Sequence, residues 1–216
     1  MISINTLIVT PFQQNARIVS CPKTSVAVVI DPGGETERIF IELSSQRLVC
    51  HAIWLTHSHL DHCGGVKRLK DLTKAKVLAH PAEKFFRSNV KQMCRMFGVA
   101  PDELEDCPEP DTYIQGGEEL IIGEHQFKVI AAPGHSPGGL CFYCPASNVI
   151  FTGDVLFAGS IGRTDLPGGD YNALMRSIEE LMHGLPPDTR VLPGHGPETT
   201  LEKERMHNPF LRGGFV

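Results

Sequence analysis

The most constraining stretch of this chain runs from Thr56 to His62. Within it, four of the six side chains from 57 to 62 (His57, His59, Asp61 and His62) are of the kinds that ligate transition metals. An apolar run, Ala52, Ile53, Trp54 and Leu55, leads into it, and Gly64 and Gly65 follow. The pattern predicts a strand ending in a polar loop that then enters a helix. On extended chain His57 and His59 point to the same side and can hold one ion. Asp61 and His62 come next, so a turning loop lets them face a neighbouring ion. The two glycines leave room for close backbone approach. A solvated loop with chance histidines is the plain alternative, and it accounts poorly for four ligand types in six positions.

The arrangement recurs more weakly further along. His135 stands in a Gly/Pro turn between two predicted strands, Asp154 closes a strand through Phe151, Thr152 and Gly153, and His195 sits between Gly194 and Gly196 after another strand. Each alone reads as an ordinary polar turn. Together they give five histidines and two aspartates, all at strand ends, where loops gather on one face. That inventory suits a two-metal site. Three histidines and a carboxylate would hold one ion, two histidines and two carboxylates the other, and a shared carboxylate would bridge ions about 3.5–4 Å apart.

The rest of the chain fits an α/β protein. Strands are expected at 4–9, 16–21, 25–31, 52–56 and 76–80, then at 119–122, 126–131, 139–143, 149–152 and 190–192. Helices are expected at 35–48, 66–72, 81–97, 171–183 and 198–207, with Pro81 as a helix start, and an irregular connection at 101–112. Strands followed by helices, twice over, imply two packed sheets with helices outside. No compositional break divides the 216 residues, so a single domain over 1–216 is expected. With 41% hydrophobic and 21% charged residues the chain can bury a core without staples, which excludes a disordered polymer.

A net charge of −5 with no basic stripe gives no reason to expect nucleic acid as the partner. Seven scattered cysteines do not make a disulfide framework and suggest a reducing compartment. Cys141 and Cys144 lie three apart in a predicted strand and so point to opposite faces, which speaks against a redox or zinc pair. No apolar run is long enough to span a membrane, and the start lacks a basic leader, so the expected location is cytoplasmic. No obligate protein partner is implied.

The ordered set H-x-H-x-D-H, P-G-H, T-G-D and P-G-H-G resembles the metallo-β-lactamase superfamily over Asp31 to His195. That resemblance implies an αββα four-layer sandwich. It implies that His57, His59 and His135 hold one metal and Asp61, His62 and His195 a second, with Asp154 bridging. Zinc is the expected ion, with iron or manganese as alternatives. Asp31 would support the ligand loop without ligating, and Asp61 would help orient the nucleophile. Cys63, next to the motif, reads as a packing residue. Lactamases of this fold carry a cysteine where Asp154 stands and are exported, which speaks against lactam hydrolysis.

Gly159 to Asp170, containing Gly162-Arg163-Thr164-Asp165, together with the segment from His195 to Phe210, is similar to short glyoxalase II-like thioesterases. The implied reaction is hydrolysis of a small acyl thioester such as S-lactoylglutathione by metal-acidified water. Full-length glyoxalase II grips glutathione with a C-terminal helical domain. Only residues 196–216 follow His195 here, so weak glutathione binding is expected. Arg163 and the segment from Asn208 to Arg212 are the candidate remaining contacts, although Arg163 can equally pair with Asp165. Persulfide dioxygenases share the fold and the Gly-Arg-Thr-Asp stretch. In that alternative His57, His135 and Asp154 would hold one iron. A chain with a merely structural metal is the third possibility, and the intact ligand set argues against it.

Overall fold

A computed structural model of the chain describes residues 1–99 and 104–211. The first half holds strands Ser3–Val9 (β1), Gln14–Ser20 (β2) and Val26–Ile30 (β3), helix Thr36–Ser45 (α1) and strand Val49–Trp54 (β4). A one-turn helix Leu60–Cys63 (α2), helix Val66–Thr73 (α3) and strand Lys76–Ala79 (β5) follow. Two short helices, Lys84–Arg87 (α4) and Val90–Phe97 (α5), then lead to the two-residue strand Thr112–Tyr113 (β6). These strands form one sheet in the order β1-β2-β3-β4-β5-β6, antiparallel through β3 and parallel from β3 to β6.

The second half holds strands Glu119–Ile122 (β7), His125–Ala131 (β8), Leu140–Cys144 (β9) and Val149–Gly153 (β10). A small hairpin follows, Leu156–Phe157 (β11) with Ser160–Ile161 (β12). Helix Tyr171–Gly184 (α6), strands Arg190–Pro193 (β13) and Thr199–Thr200 (β14), and helix Leu201–His207 (α7) complete it. The second sheet runs β14-β13-β10-β9-β8-β7, with β10 and β13 its parallel pair.

Side-chain alternation explains the layers. In β3, Ala27 and Val29 face one way and Val28 and Ile30 the other, and all four are buried. Such strands need apolar cover on both faces. Ala27 and Val29 pack with Ile39 of α1, Leu69 of α3 and Val90 of α5. Val28 and Ile30 meet the other sheet, where Trp54 lies 5.3 Å edge-on to Phe127 and 5.1 Å from Phe142. The outer face of that sheet, through Cys141 and Ile150, packs on Leu174, Ile178 and Leu181 of α6. The result is the αββα sandwich. Cys141 falls in the outer core and Cys144 in the central one, as their spacing requires.

Three sequence expectations need correction. The helix expected over 81–97 is a 3-10 turn at Pro81–Glu83 followed by α4 and α5, broken at Ser88 and Asn89. Beside the break, buried Arg87 donates to the carbonyl of His80 at 2.7 Å. The helix expected at 198–207 begins at Leu201, since Thr199 and Thr200 pair with β13 first and the Thr200 hydroxyl then caps α7 through the amide of Lys203. The loop expected after His57 contains α2. Within the expected irregular connection at 101–112, residues 104–111 carry no strand or helix and 112 opens β6, while 101–103 lie outside the described residues.

Every site segment follows the C-terminal end of a strand: Asp31 after β3, residues 57–62 after β4, His135 after β8, Asp154 after β10 and His195 after β13. Parallel pairing of β3 with β4 and of β10 with β13 puts those ends side by side.

Candidate metal centre

The centre is built outward from Asp31, held in the left-handed region at φ 51°. Its Oδ1 accepts the Thr56 amide at 2.7 Å, and its Oδ2 accepts the Thr56 hydroxyl at 2.5 Å and His62 Nδ1 at 3.0 Å. Asp31 thus ties the end of β3 to the loop after β4. The Thr56 hydroxyl donates its one hydrogen bond to Asp31, so its Oγ1 accepts from His57 Nδ1 at 3.1 Å. The adjoining turn is just as tight. A Cβ on Gly33 would sit 1.5 Å from the Asp61 carbonyl oxygen, so no other residue fits there without moving the ligand loop.

His135 and His195 are oriented in the same way. His135 Nδ1 donates to the Arg163 carbonyl at 2.8 Å, and His195 Nδ1 to the Phe12 carbonyl at 3.0 Å. These oxygens can only accept, so each Nδ1 carries the proton and each Nε2 keeps its lone pair, that of His135 lying 2.9 Å from His59 Nδ1. Four imidazoles, His57, His62, His135 and His195, are fixed in this tautomer. Orientation of this kind is what metal-ligating histidines require.

The lone pairs and carboxylates converge. His57, His59 and His135 place ligand atoms within 4.8 Å of one another, as do Asp61, His62 and His195. Asp154 lies between the two groups. Its Oδ1 is 3.3 Å from His62 Nε2, and its Oδ2 is 3.6 Å from His135 Nε2 and 3.5 Å from His195 Nε2. Asp61 Oδ2 is 3.2 Å from His195 Nε2. A third triad, Asp31, His57 and His62, is also close, but Asp31 is spent on hydrogen bonds.

Buried lone pairs facing carboxylates repel one another unless a proton or a cation stands between them. His57 Nε2, His59 Nε2 and Asp154 Oδ1 are buried with no hydrogen-bond partner. Burial and the surrounding imidazoles push His57 far down, and burial with His135 pushes His59 down to about 3, so both stay neutral. Against the cost of burial, Asp154 and Asp61 raise His62, and Asp61 and Asp154 raise His195. The carboxylates thus favour positive charge on the second group, at places where cations would serve. The donor set therefore fits divalent metal.

Gly194 makes the approach possible. A Cβ there would lie 2.2 Å from Asp154 Oδ1 and 2.7 Å from His62 Cε1. Asn15 holds the same loop, its side-chain amide donating to the carbonyls of Pro193 and Gly196.

Two features were missed from sequence. Glu83 is fully buried and accepts the amides of Ser58 at 2.9 Å and Gly138 at 2.7 Å, clamping the first ligand loop to the His135 loop. A glutamate after a helix-starting proline reads as an N-terminal charge, and nothing local marks it as a clamp. The second is a cavity of about 370 Å³ opening over His59, Asp61, His135, Asp154 and His195, walled by α4 and α5.

Arg163 lines this cavity, but its guanidinium is held by Asp165 through two 2.7 Å bonds. Asn208, expected to contact substrate, is instead buried, donating to Ser160 and Glu204, so its role is to seat α7. Arg212 lies outside the described residues. Cys63 is buried and donates to the Ser58 carbonyl at 3.3 Å, inside the first core.

Residues 9–195 match the metallo-beta-lactamase superfamily. A Haemophilus influenzae protein named hydroxyacylglutathione hydrolase GloC is 37% identical over 97% of this chain and 98% of its own. Among solved structures, TTHA1623 in a di-iron-bound form is 40% identical with TM-score 0.87, covering 96% of this chain and all of that one. BLEG-1 B3 metallo-beta-lactamase is 37% identical with TM-score 0.89, covering 97% and 99%. No helix among the described residues is long and apolar enough to cross a membrane. The strand-end ligand set, the sandwich that gathers it and the match across most of its length establish that this chain belongs to the metallo-β-lactamase superfamily.

Proposed function

We propose that the chain hydrolyses small acyl thioesters, with S-lactoylglutathione as the reference substrate. In this reading two divalent transition-metal ions, zinc before iron or manganese, sit at His57, His59, His135 and at Asp61, His62, His195. The observation that carries the reading is Asp154, set between two groups of imidazole lone pairs and within 3.6 Å of three of them. When bound, the ions would acidify water and polarise a carbonyl oxygen.

The protein's own groups do the rest. Asp31, Thr56, and the carbonyls of Phe12 and Arg163 hold the imidazole protons away from the centre, so no ring turns. Asp61, at the cavity floor and partly exposed, is placed to accept a proton from the attacking water and fix its direction. In the overall reaction water adds its oxygen to the acyl carbon, the C–S bond breaks, and the thiol leaves with a proton. The relative named hydroxyacylglutathione hydrolase and the solved relative in di-iron form support the chemistry and the metal count. The substrate is taken to be a free small molecule, in keeping with a net charge of −5.

Steady-state kinetics of the metal-replete protein on S-lactoylglutathione test this, beside a lactam and a persulfide with oxygen uptake recorded. Thioester turnover is expected. Oxygen uptake on glutathione persulfide without thioester cleavage would assign the chain to the dioxygenases, and lactam turnover alone would assign it to the lactamases.

A further inference from the structure

The wall of the cavity has a chemistry that the hydrolase reading does not use. Met93, Met96 and Phe97 occupy positions i, i+3 and i+4 of α5 and share one face of it. Val90 and Cys94 of the same helix are buried in the first core, and Met93 packs against its edge. Met96 is 74% exposed and Phe97 49%, and neither is needed to close that core. From α4, Phe85, 60% exposed, joins them, and Phe12 faces them from the turn after β1. Contiguous exposed apolar surface beside reactive groups marks a place where apolar ligand is covered.

Charge argues the same way. Apart from the histidines and aspartates of the centre, Arg163 is the one charged side chain on the described lining. Its fork is already filled by Asp165. A glutathione moiety carries two carboxylates and an ammonium, and the described lining offers none of these a free counter-charge.

We infer that this cavity takes an uncharged apolar group, a medium-length alkyl chain or an aromatic ring, attached beside the scissile carbonyl. The inference rests on the hydrolase reading and narrows its substrate class. The apolar group can belong to the acyl side or to the thiol side, since the cavity opens over the whole centre. Each methylene covered should raise kcat/KM about fourfold until the cavity is full.

The test uses the metal-loaded protein and two substrate series. One varies the acyl group of a single uncharged thiol from acetyl through butyryl and hexanoyl to octanoyl, and the other varies the thiol of a single acetyl ester over the same lengths. Calorimetric binding of the matching thioethers, which cannot be hydrolysed, gives a readout independent of turnover. A rise in kcat/KM along either series, above the value for S-lactoylglutathione, with tighter binding of the longer thioethers, is expected. The double variant Met96→Ser/Phe97→Ser should flatten that rise and the binding trend together. Ile41→Ser, an exposed apolar residue on α1 away from the cavity, should leave the trend as it is. A flat or falling dependence in both series, or preference for the glutathione thioester, overturns the inference while the hydrolase reading stands. Thioether binding that lengthens its grip as expected, without cleavage of any thioester, overturns the hydrolase reading and leaves the apolar cavity.

Discussion

Asp31→Asn separates the roles of the two metal seats. Asparagine has nearly the same shape and tolerates the left-handed backbone at φ 51°, so the change falls on hydrogen bonding alone. The carboxylate accepts the Thr56 amide on one oxygen, and the Thr56 hydroxyl and His62 Nδ1 on the other. The backbone amide of Thr56 can only donate, so it claims the single oxygen of the asparagine. The amide NH₂ then faces His62 Nδ1, where two donors cannot meet. His62 must move its proton to Nε2, the atom aimed at Asp154, and the ligand lone pair is lost. One hydrogen bond to a charged acceptor is worth about 1.5–3 kcal/mol. That agrees with the tenfold to hundredfold loss of metal affinity, or about 1.4–2.7 kcal/mol, that such supporting partners confer. His57 keeps its partner, because the Thr56 hydroxyl oxygen can still accept, so the first seat should hold its metal. Titration against a competing chelator should resolve this as weakening at one seat of two. Unchanged affinity at both seats, or loss at the first alone, would refute the assignment of Asp31 as the group that fixes the His62 tautomer.

Asp154→Ala and His59→Ala should leave a folded chain, since both lie on strand-end loops, and each should lose far more activity than the hundredfold ceiling of about 2.7 kcal/mol for supporting residues; circular dichroism with metal-replete kinetics checks both. Gly194→Ala should displace Asp154 and lower metal affinity at about the same tenfold to hundredfold scale, measured by the same chelator titration. The two seats should also part company with pH. His57 and His59, pushed down by burial, are neutral well below pH 6.5, so acid does not compete with metal at these two ligands until far into that range. His62 and His195 are raised by Asp154 and Asp61, so an ion must displace their protons, and affinity at the second seat should fall tenfold per proton for each pH unit of acidification. Loss of the first seat's metal before the second's on acidification would contradict this order. For the metal-free protein, the lowered His59 means that stability rises with pH between about 3 and 6.5, where only the unfolded chain binds that proton. Urea unfolding across that window measures it.

The ligand set was legible because its members stand at strand ends within a few residues of strong turn signals, and strand ends on one sheet edge are neighbours whatever lies between. The strand over 25–31 was legible too, whereas its cover on both faces, with Val28 and Ile30 in one core and Ala27 and Val29 in the other, is a finding of the structure. What sequence did not reveal depends on contacts between distant segments. Glu83 works only because the loops holding Ser58 and Gly138 fold against it. Nothing local marks the break at Ser88 and Asn89, and helical spacing alone does not divide the apolar residues of α5 between the first core, which Val90 and Cys94 enter, and the cavity wall, which Met96 and Phe97 form. Asn208 resembled a substrate contact by position alone, and its burial against Ser160 and Glu204 settles its role as a packing one.

The central claim is that the two histidine–aspartate groups are separate seats sharing Asp154. Its most direct measurement is metal bound per chain at saturation, by elemental analysis after equilibrium dialysis, for the parent protein and for His195→Ala. Two ions for the parent and one for the variant is the predicted result. One ion in both, with equal affinity, would contradict a binuclear centre.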